Sequence, residues 1–495
     1  MAQPTTTASL ILAEQKSEPV GPSGIQIPLV VDLDGTLVKT DLLVESLVTL
    51  LKDQPLCFCA LPAWLLRGKA AFKREVAART KLDAGLMPYR TELVEYLRAQ
   101  RAQGRPIVLA TASNERLAHQ VADHLQLFDS VWASDARVNL SGDRKRKCLV
   151  SHFGEKGFDY AGDESRDSEV WSSARKAILV NPSRKLLRDV TRVAEIQCVF
   201  QERGAGFAEY WHALRPQQWL KNVLVFVPLF AAHRFFEPAL LGKCLLAFLA
   251  FCCCASSGYA FNDLLDLTAD RHHPQKRLRP FAAGRLPLSY ALAMIPALVV
   301  LGAVLGALVS QAFAGLLLLY WTLTLAYSLW IKKIVLLDVI VLAGLYTLRI
   351  MGGSAAVDIW PSPWLLGFST FLFLSLALAK RYDELVLMRS VDGDHARSRS
   401  YEISDAELLA SKGTASGYIA VLVLALYITS GAVKALYGRH ELVWFLCPLL
   451  LYWVGRIWLV AHRGEMHDDP LVFALRDKTS RILIILMLAT ALLAV

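Results

Sequence analysis

One asparagine and three aspartates recur at three- and four-residue spacings in Asn262-Asp263-Leu264-Leu265-Asp266-Leu267-Thr268-Ala269-Asp270-Arg271. On a helix, Asn262/Asp266, Asp263/Asp266 and Asp266/Asp270 would share one face. The run directly follows an apolar stretch ending near Phe261, and unpaired carboxylates at the end of a membrane helix are costly. Their convergence implies a bound divalent cation. Mg²⁺ is the natural choice, since it prefers oxygen ligands and substrate phosphates. Arg271, His272, His273, Lys276, Arg277 and Arg279 follow and offer positive charge to further phosphate oxygens. The segment reads as a metal–diphosphate site rather than as a solvated, salt-bridged loop.

A second chemical signal lies far upstream. Leu29-Val30-Val31 leads into Asp32-Leu33-Asp34-Gly35-Thr36, as a buried strand leads into a turn. A second apolar strand, Ile107-Val108-Leu109-Ala110, ends at Thr111-Ala112-Ser113, and a third candidate ends at Tyr160-Ala161-Gly162-Asp163, with Asp167 four residues on. Carboxylates and hydroxyls at strand ends fit an open α/β sheet whose site lies at the strand C-termini. Two aspartates two apart at such a junction can divide the work of phosphate transfer. One attacks phosphorus while the other handles the leaving-group proton, and Mg²⁺ would screen the phosphate from the attacking carboxylate.

The elements that must hold these residues fall into two halves. The chain has 495 residues, 54% of them hydrophobic, with a formal net charge of +9 and a mean hydropathy of +0.38. The apolar excess lies almost entirely after Trp219, while the first 210 residues have the character of a water-soluble α/β protein. Residues 1–25 are polar and are expected to form a disordered tail without a secretory signal. The expected boundaries are 26–190 for a phosphatase-like α/β domain, 191–212 for a linker and 213–495 for an all-α membrane domain. Nine transmembrane helices are predicted, near 219–235, 239–261, 289–309, 312–330, 334–352, 363–380, 415–436, 441–461 and 479–495. Lys and Arg concentrate before the first of these, in 271–285, at Lys332 and Lys333, in 380–399 and in 463–481. The positive-inside rule then places those loops, both candidate sites and the N-terminal domain in the cytoplasm, in a multi-pass protein of the bacterial plasma membrane. The nine cysteines form no CxxC pair and read as small buried hydrophobes in a reducing compartment.

The upstream motifs resemble those of the haloacid dehalogenase superfamily. The shared features are the Asp32-Leu33-Asp34-Gly35-Thr36 run, the apolar strand ending in Thr111, the lysine of Lys145-Arg146-Lys147, and Gly162-Asp163 with Asp167. The resemblance implies a Rossmann-like fold with a small helical cap. It implies Asp32 as nucleophile, Asp34 as acid/base, and Thr111 and Lys145 as phosphate contacts, with Lys147 competing for the lysine role. It also implies Mg²⁺ held by Asp32 and Asp163, supported by Asp167, with Asp34 in the same carboxylate set. The insert 41–105 would form the cap. Its basic-apolar stretch from Leu61 to Lys69 reads as ordinary helix packing, with contact of Trp64, Leu65 and Leu66 to lipid as the alternative.

The membrane half resembles the UbiA superfamily of intramembrane transferases, on Asn262, Asp263, Asp266, Asp270, Arg279, Pro280 and Gly284. Its later loop lacks the second acidic motif of the aromatic prenyltransferases. It reads Lys380-Arg381-Tyr382-Asp383-Glu384, then Arg397-Ser398-Arg399-Ser400-Tyr401. With Arg215-Pro216-Gln217-Gln218-Trp219-Leu220-Lys221-Asn222, His273-Pro274-Gln275-Lys276, Asp469-Pro470 and Arg476-Asp477, this is similar to the branch that transfers 5-phosphoribose from phosphoribosyl pyrophosphate to a polyprenyl phosphate. The resemblance implies Asp263 and Asp266 at the reacting centre, and Asn262, Asp263, Asp266 and Asp270 on Mg²⁺. Substrate phosphates would meet Lys221, Lys276, Arg279, Lys380, Arg381, Arg397, Arg399 and Tyr401.

The charge count agrees with that branch. A diphosphate, a 5-phosphate and a lipid phosphate demand more cations than a prenyl diphosphate with a neutral acceptor, although some of these cations serve topology alone. The fused phosphatase would then remove the 5-phosphate, giving polyprenyl phosphoryl ribose. The expected partners are therefore phosphoribosyl pyrophosphate, a polyprenyl phosphate and membrane lipids, and not nucleic acid. One rival is prenyl transfer to an aromatic acceptor beside a phosphatase for another metabolite. The other rival, a transporter or scaffold regulated by the phosphatase-like domain, predicts ionisable groups at helix midpoints. The predicted helices carry few beyond Asp338 and Arg349.

Overall fold

A computed structural model describes residues 26–135, 138–202, 204–390, 401–466 and 469–495. The expected tail, 1–25, and the candidate residues Arg397 and Arg399 lie outside them. The described chain divides into two compact units. One runs to Ala213 and includes Asp263–Ala293. The other comprises Leu214–Asn262 and Met294–Val495.

The first unit is built on six strands: β1 (Leu29–Val31), β2 (Ile107–Asn114), β3 (Ser130–Ser134), β4 (Asp159–Gly162), β5 (Lys176–Val180) and β6 (Glu195–Phe200). They pair in parallel in the order β3-β2-β1-β4-β5-β6. A parallel sheet covered on both faces needs apolar residues in both directions along each strand. Leu29, Val31, Leu109 and Ile178 accordingly pack on one side, and Val30, Val108, Tyr160 and Leu179 on the other. With β1 central, Asp32 leaves the sheet beside the ends of β2 and β4. The stretch expected as a linker, 191–212, in fact contains β6 and the start of a helix, Phe207–Leu214. The insert after β1 is helical as expected, with Leu42–Asp53, Leu61–Leu66, Lys69–Arg79 and Thr91–Ala102.

In the second half, seven helices among the described residues are long and apolar enough to cross a membrane: Pro238–Leu265, Leu288–Val309, Gln311–Leu329, Leu337–Val357, Pro363–Met388, Ile403–Thr429 and His440–His462. Nine were expected. The first predicted span is a 3₁₀ helix, Pro216–Phe226, followed by a single short helix, Val227–Ala231. Pro228 stands in the first turn of that short helix, where its missing N–H costs nothing and where it favours a new helix start over continuation of the preceding turn. The ninth, Lys478–Ala494, has 17 residues. It rises about 25 Å, at the lower end of the length that crosses a bilayer, and is not among the seven. Gly302 permits a close helix approach, because a Cβ there would stand 2.8 Å from Cys254 Sγ. Val300, Val304 and Leu308 are exposed on the same helix, a surface that lipid rather than water satisfies. The chain is an integral membrane protein.

Candidate functional site

The strand ends of the first unit gather a carboxylate cluster. Asp32, Asp163 and Asp167 each bring an oxygen within 4.8 Å of the others. Gly35 turns away from β1 at φ +73°, and a Cβ there would lie 2.2 Å from Asp163 Oδ2. Glycine is therefore required on two counts: the left-handed backbone and the approach of Asp163. Thr36 Oγ1 donates to Asp163 Oδ1 at 2.7 Å. Lys145 Nζ stands 3.0 Å from Asp32 Oδ1 and 3.8 Å from Asp167 Oδ1. It also donates to Tyr160 Oη at 2.9 Å, and Tyr160 in turn donates to Asp167 at 2.8 Å. Lys147 is instead on the surface, paired with Asp143 at 2.6 Å. Of the two lysines, Lys145 is the one that stands among the strand-end carboxylates.

Electrostatics support a cation here. Burial, then the neighbouring Asp32 and Asp167, push the Asp163 carboxyl up to about 8, and burial with Asp32 also raises Asp167. Burial alone would lower the Lys145 ammonium, but Asp32 and Asp167 more than reverse this and hold it charged. Three hard oxygen donors under mutual repulsion are what Mg²⁺ relieves. Asp32, Asp163 and Asp167 would hold the ion, which would screen the charge of an incoming phosphate.

Asp34, expected on the metal, is not in this set. Its Oδ2 accepts from Ser113 Oγ at 2.5 Å and its Oδ1 from Leu42 N at 2.8 Å, which turns the carboxyl toward the end of β2. Burial and Asp41 push it up to about 7, so near neutrality it carries a proton to give, as a general acid requires. Thr111 is buried at the same strand end, its Oγ1 accepting from Ser113 N at 2.9 Å. Sequence reading missed Lys73. From the helix Lys69–Arg79 its Nζ donates to Ala112 O at 2.6 Å and to Asn139 Oδ1 at 3.3 Å. No motif marks it, because only the fold returns the insert to β2.

These raised carboxyls have a measurable consequence. A group whose folded pKa lies above its unfolded value contributes stability at low pH and loses it as pH rises through the folded pKa. In metal-free protein the first unit should therefore loosen between about pH 4 and the value of about 8 reached at Asp163. Hydrogen-exchange protection in Asp159–Gly162 should fall over that range, and added Mg²⁺ should restore it more at about pH 8 than at about pH 5, since binding displaces protons. Equal protection at both pH values, with and without Mg²⁺, would contradict the assignment.

The downstream acidic motif is arranged differently from its expected single helical face. The helix Pro238–Leu265 stops, Asp266 lies outside helical geometry, and a new helix runs Leu267–His272. Asp263 and Asp270 converge on one cation, Arg279 Nη1, at 3.2 and 2.5 Å. Asp266 Oδ1 instead lies 3.8 Å from Lys52 Nζ, and Asn262 Oδ1 accepts from Lys332 at 3.2 Å. Burial, against the pull of Arg279, pushes Asp270 up to about 6. Two carboxylates already meeting at a guanidinium fit a divalent ion in its place, so Asp263 and Asp270 are the pair that would hold one. Lys276 is exposed on the short 3₁₀ turn Lys276–Leu278.

The second unit holds a cationic cluster around the Asp469 side chain, which is itself only 6% exposed. Its Oδ2 is 2.7 Å from Lys221 Nζ and 3.1 Å from Lys380 Nζ, and Tyr346 Oη donates to Oδ1 at 3.2 Å. Burial alone would raise this carboxyl, but the two lysines hold it well below the usual range. Arg349 lies over the rings of Tyr320 and Tyr346 and donates to Asn222 Oδ1 at 2.8 Å and Tyr320 Oη at 2.8 Å. Arg215 stacks over Tyr259 at 5.7 Å. Lys221 and Lys380 were expected on substrate. Arg349, Asn222, Tyr320 and Tyr346 were not, since their joining depends on the packing of separate helices.

Arg381 and Tyr401, also expected on substrate, are committed elsewhere. Arg381 donates to Asp338 at 2.6 Å, Glu384 at 2.8 Å and Tyr327 Oη at 2.7 Å, while Tyr401 donates to Asp338 at 2.5 Å. Asp338 is fully buried. Removing one partner of a buried ion pair strands the other charge, at about 3–5 kcal/mol. Arg381→Ala should therefore lower the melting temperature of the detergent-solubilised protein sharply. An unchanged melt with lost substrate affinity would return Arg381 to the substrate.

Residues 223–476 match the model of the UbiA prenyltransferase family, and 29–152 that of haloacid dehalogenase-like hydrolases. Uncharacterized protein y4nM of Sinorhizobium fredii is 37% identical over 460 residues, covering 92% of this chain and 88% of its own. Nodulation protein NoeC of Azorhizobium caulinodans is 36% identical over 279 residues, covering 56% of this chain and 91% of its own. A decaprenyl-phosphate phosphoribosyltransferase of Mycobacterium tuberculosis is 30% identical over 286 residues, again covering 56% and 91%. With its carboxylate-bearing helix ends on a bundle of apolar helices, the chain belongs to the UbiA prenyltransferase family and carries a haloacid dehalogenase-like domain on its N-terminal side.

Proposed function

We propose that the membrane half transfers 5-phosphoribose from phosphoribosyl pyrophosphate to a polyprenyl phosphate, and that the N-terminal domain then removes the 5-phosphate. The observation that carries this reading is the gathering of four cations in one carboxylate's surroundings: Lys221 and Lys380 on Asp469, Arg349 over Tyr346 and Arg215 over Tyr259. Such an excess of positive charge suits several phosphates, and arginine's fork suits their paired oxygens. Asp263 and Asp270 would hold a divalent ion against the diphosphate leaving group, with Arg279 released to its oxygens. Kinship with phosphoribosyltransferases of polyprenyl phosphates supports the same donor.

In the second step, Asp32 would attack the 5-phosphate and Asp34 would protonate the departing ribose oxygen. Deprotonated Asp34 would then draw a proton from the water that hydrolyses the aspartyl phosphate, returning both carboxyls to their starting state. Lys145 neutralises the phosphate beside Asp32. In this reading both steps use Mg²⁺ and occur on the cytoplasmic side of a bacterial plasma membrane. A tethered phosphatase meets the lipid intermediate at raised effective concentration.

Purified protein with Mg²⁺, labelled phosphoribosyl pyrophosphate and a polyprenyl phosphate should yield a labelled lipid, with polyprenyl phosphoryl ribose resolved by mass as the end product. No labelled lipid, with turnover of a prenyl diphosphate and an aromatic acceptor, would replace the donor assignment.

A further inference from the structure

The first unit holds a segment that neither proposed reaction uses. Pro55–Leu66 is an apolar helical stretch within the insert of the first unit. Its inner side is satisfied, since Trp64 packs with Leu50 and Val76 and is only 8% exposed. Ordinary packing therefore accounts for Trp64 but not for the outer side. There Leu56 is 88%, Phe58 58%, Leu65 56% and Leu66 90% exposed. A water-facing domain seldom displays four such exposed large apolar side chains within eleven residues without a use for them.

Two observations say what covers it. Residues 54–72 hold Arg67 and Lys69 and no carboxylate, the charge pattern of a segment lying on anionic headgroups. The helix leading into the segment, Leu42–Asp53, is also tied to the stretch of chain that follows the apolar helix Pro238–Leu265. Its Lys52 lies 3.8 Å from Asp266, the residue immediately after the span Pro238–Leu265. Its Glu45 is bound at both oxygens by Arg271, at 2.5 and 3.0 Å. Pro55 follows Lys52 by three positions, so the exposed leucines start close to where the chain leaves the hydrocarbon.

We propose that Pro55–Leu66 seats on the bilayer surface, with Leu56, Phe58, Leu65 and Leu66 among the acyl chains and Arg67 and Lys69 at lipid phosphates. The next helix of the insert, Lys69–Arg79, carries Lys73 to the end of β2, so one insert serves both lipid and catalytic strand ends. Resting on the phosphatase reading above, this makes the substrate class a phosphate monoester borne on a membrane lipid.

The test uses the full chain in nanodiscs of equal phosphatidylcholine and phosphatidylglycerol. Nitroxides are attached at Phe58→Cys, Leu66→Cys and, as a control, the exposed Glu155→Cys, after Cys57, Cys59 and Cys148 are replaced by Ser. Collision with a water-soluble nickel complex should be several-fold lower at 58 and 66 than at 155, and collision with oxygen higher. In the paired variant Leu56→Asp with Leu66→Asp, hydrolysis of the lipid-borne phosphate should fall about tenfold, while that of a small soluble phosphate monoester persists. Free nickel access at 58 and 66 overturns the docking. So does spin–spin broadening that disappears on dilution with unlabelled chains, which would mean a second copy covers the patch. Lipid-seated labels without any hydrolysis of lipid-borne phosphate would retain the docking and refute the phosphatase reading instead.

Discussion

Asp32→Asn is expected to stop dephosphorylation while phosphoribosyl transfer continues, so that the 5-phosphorylated lipid accumulates as the sole product. The amide keeps the size of the side chain but cannot attack phosphorus. Loss of a covalent nucleophile costs on the order of 10⁴–10⁶ in rate. The substitution also removes the carboxylate that Lys145 faces at 3.0 Å. Lys145 keeps Tyr160 at 2.9 Å and Asp167 at 3.8 Å, so the strand ends should stay in place. Far-ultraviolet circular dichroism and transfer rates would confirm an intact fold, and mass resolution of the lipids would read the result. Should the wild-type protein itself stop at the phosphorylated lipid, the phosphatase domain serves another substrate.

The acidic motif should produce the mirror-image phenotype. Asp263→Ala removes one of the two carboxylates that share Arg279 and would leave a divalent ion with Asp270 as its remaining carboxylate in that pair. A metal contact to a transferring phosphate is worth several kcal/mol, so lipid labelling should fall about 10²–10⁴-fold with the soluble-ester phosphatase activity unaltered. Asp266→Ala offers a contrast that the structure makes informative. Asp266 faces Lys52 rather than Arg279, so a loss as deep as that of Asp263→Ala would mean that substrate or metal draws it into the Asp263–Asp270 pair. Near-wild-type transfer in both variants would remove the metal from this motif altogether.

Much of the chemistry was legible in the sequence because it sits in short contiguous runs. Asp32, Asp34, Gly35 and Thr36 are adjacent in the chain, and a parallel strand ending in a turn can present them in only a few ways. The apolar runs likewise declare seven helices by length and composition. The other two expected spans are not among the seven: one is a 3₁₀ helix followed by a five-residue helix, and the other is a helix of 17 residues.

What sequence alone determined was therefore the pair of families and the α/β and membrane-helical halves, both of which depend on residues close in the chain. Tertiary structure decided which residues meet. Lys145 rather than Lys147 reaches Asp32 because helix phase turns one inward and the other to solvent. Arg279 reaches back to join Asp263 and Asp270 because the helix breaks at Asp266. Arg381 is spent on Asp338, 43 residues away, and Lys221 meets Asp469 across 248 residues. Spacing rules carry information over a helical turn or a strand, whereas contacts across such separations depend on how whole elements pack.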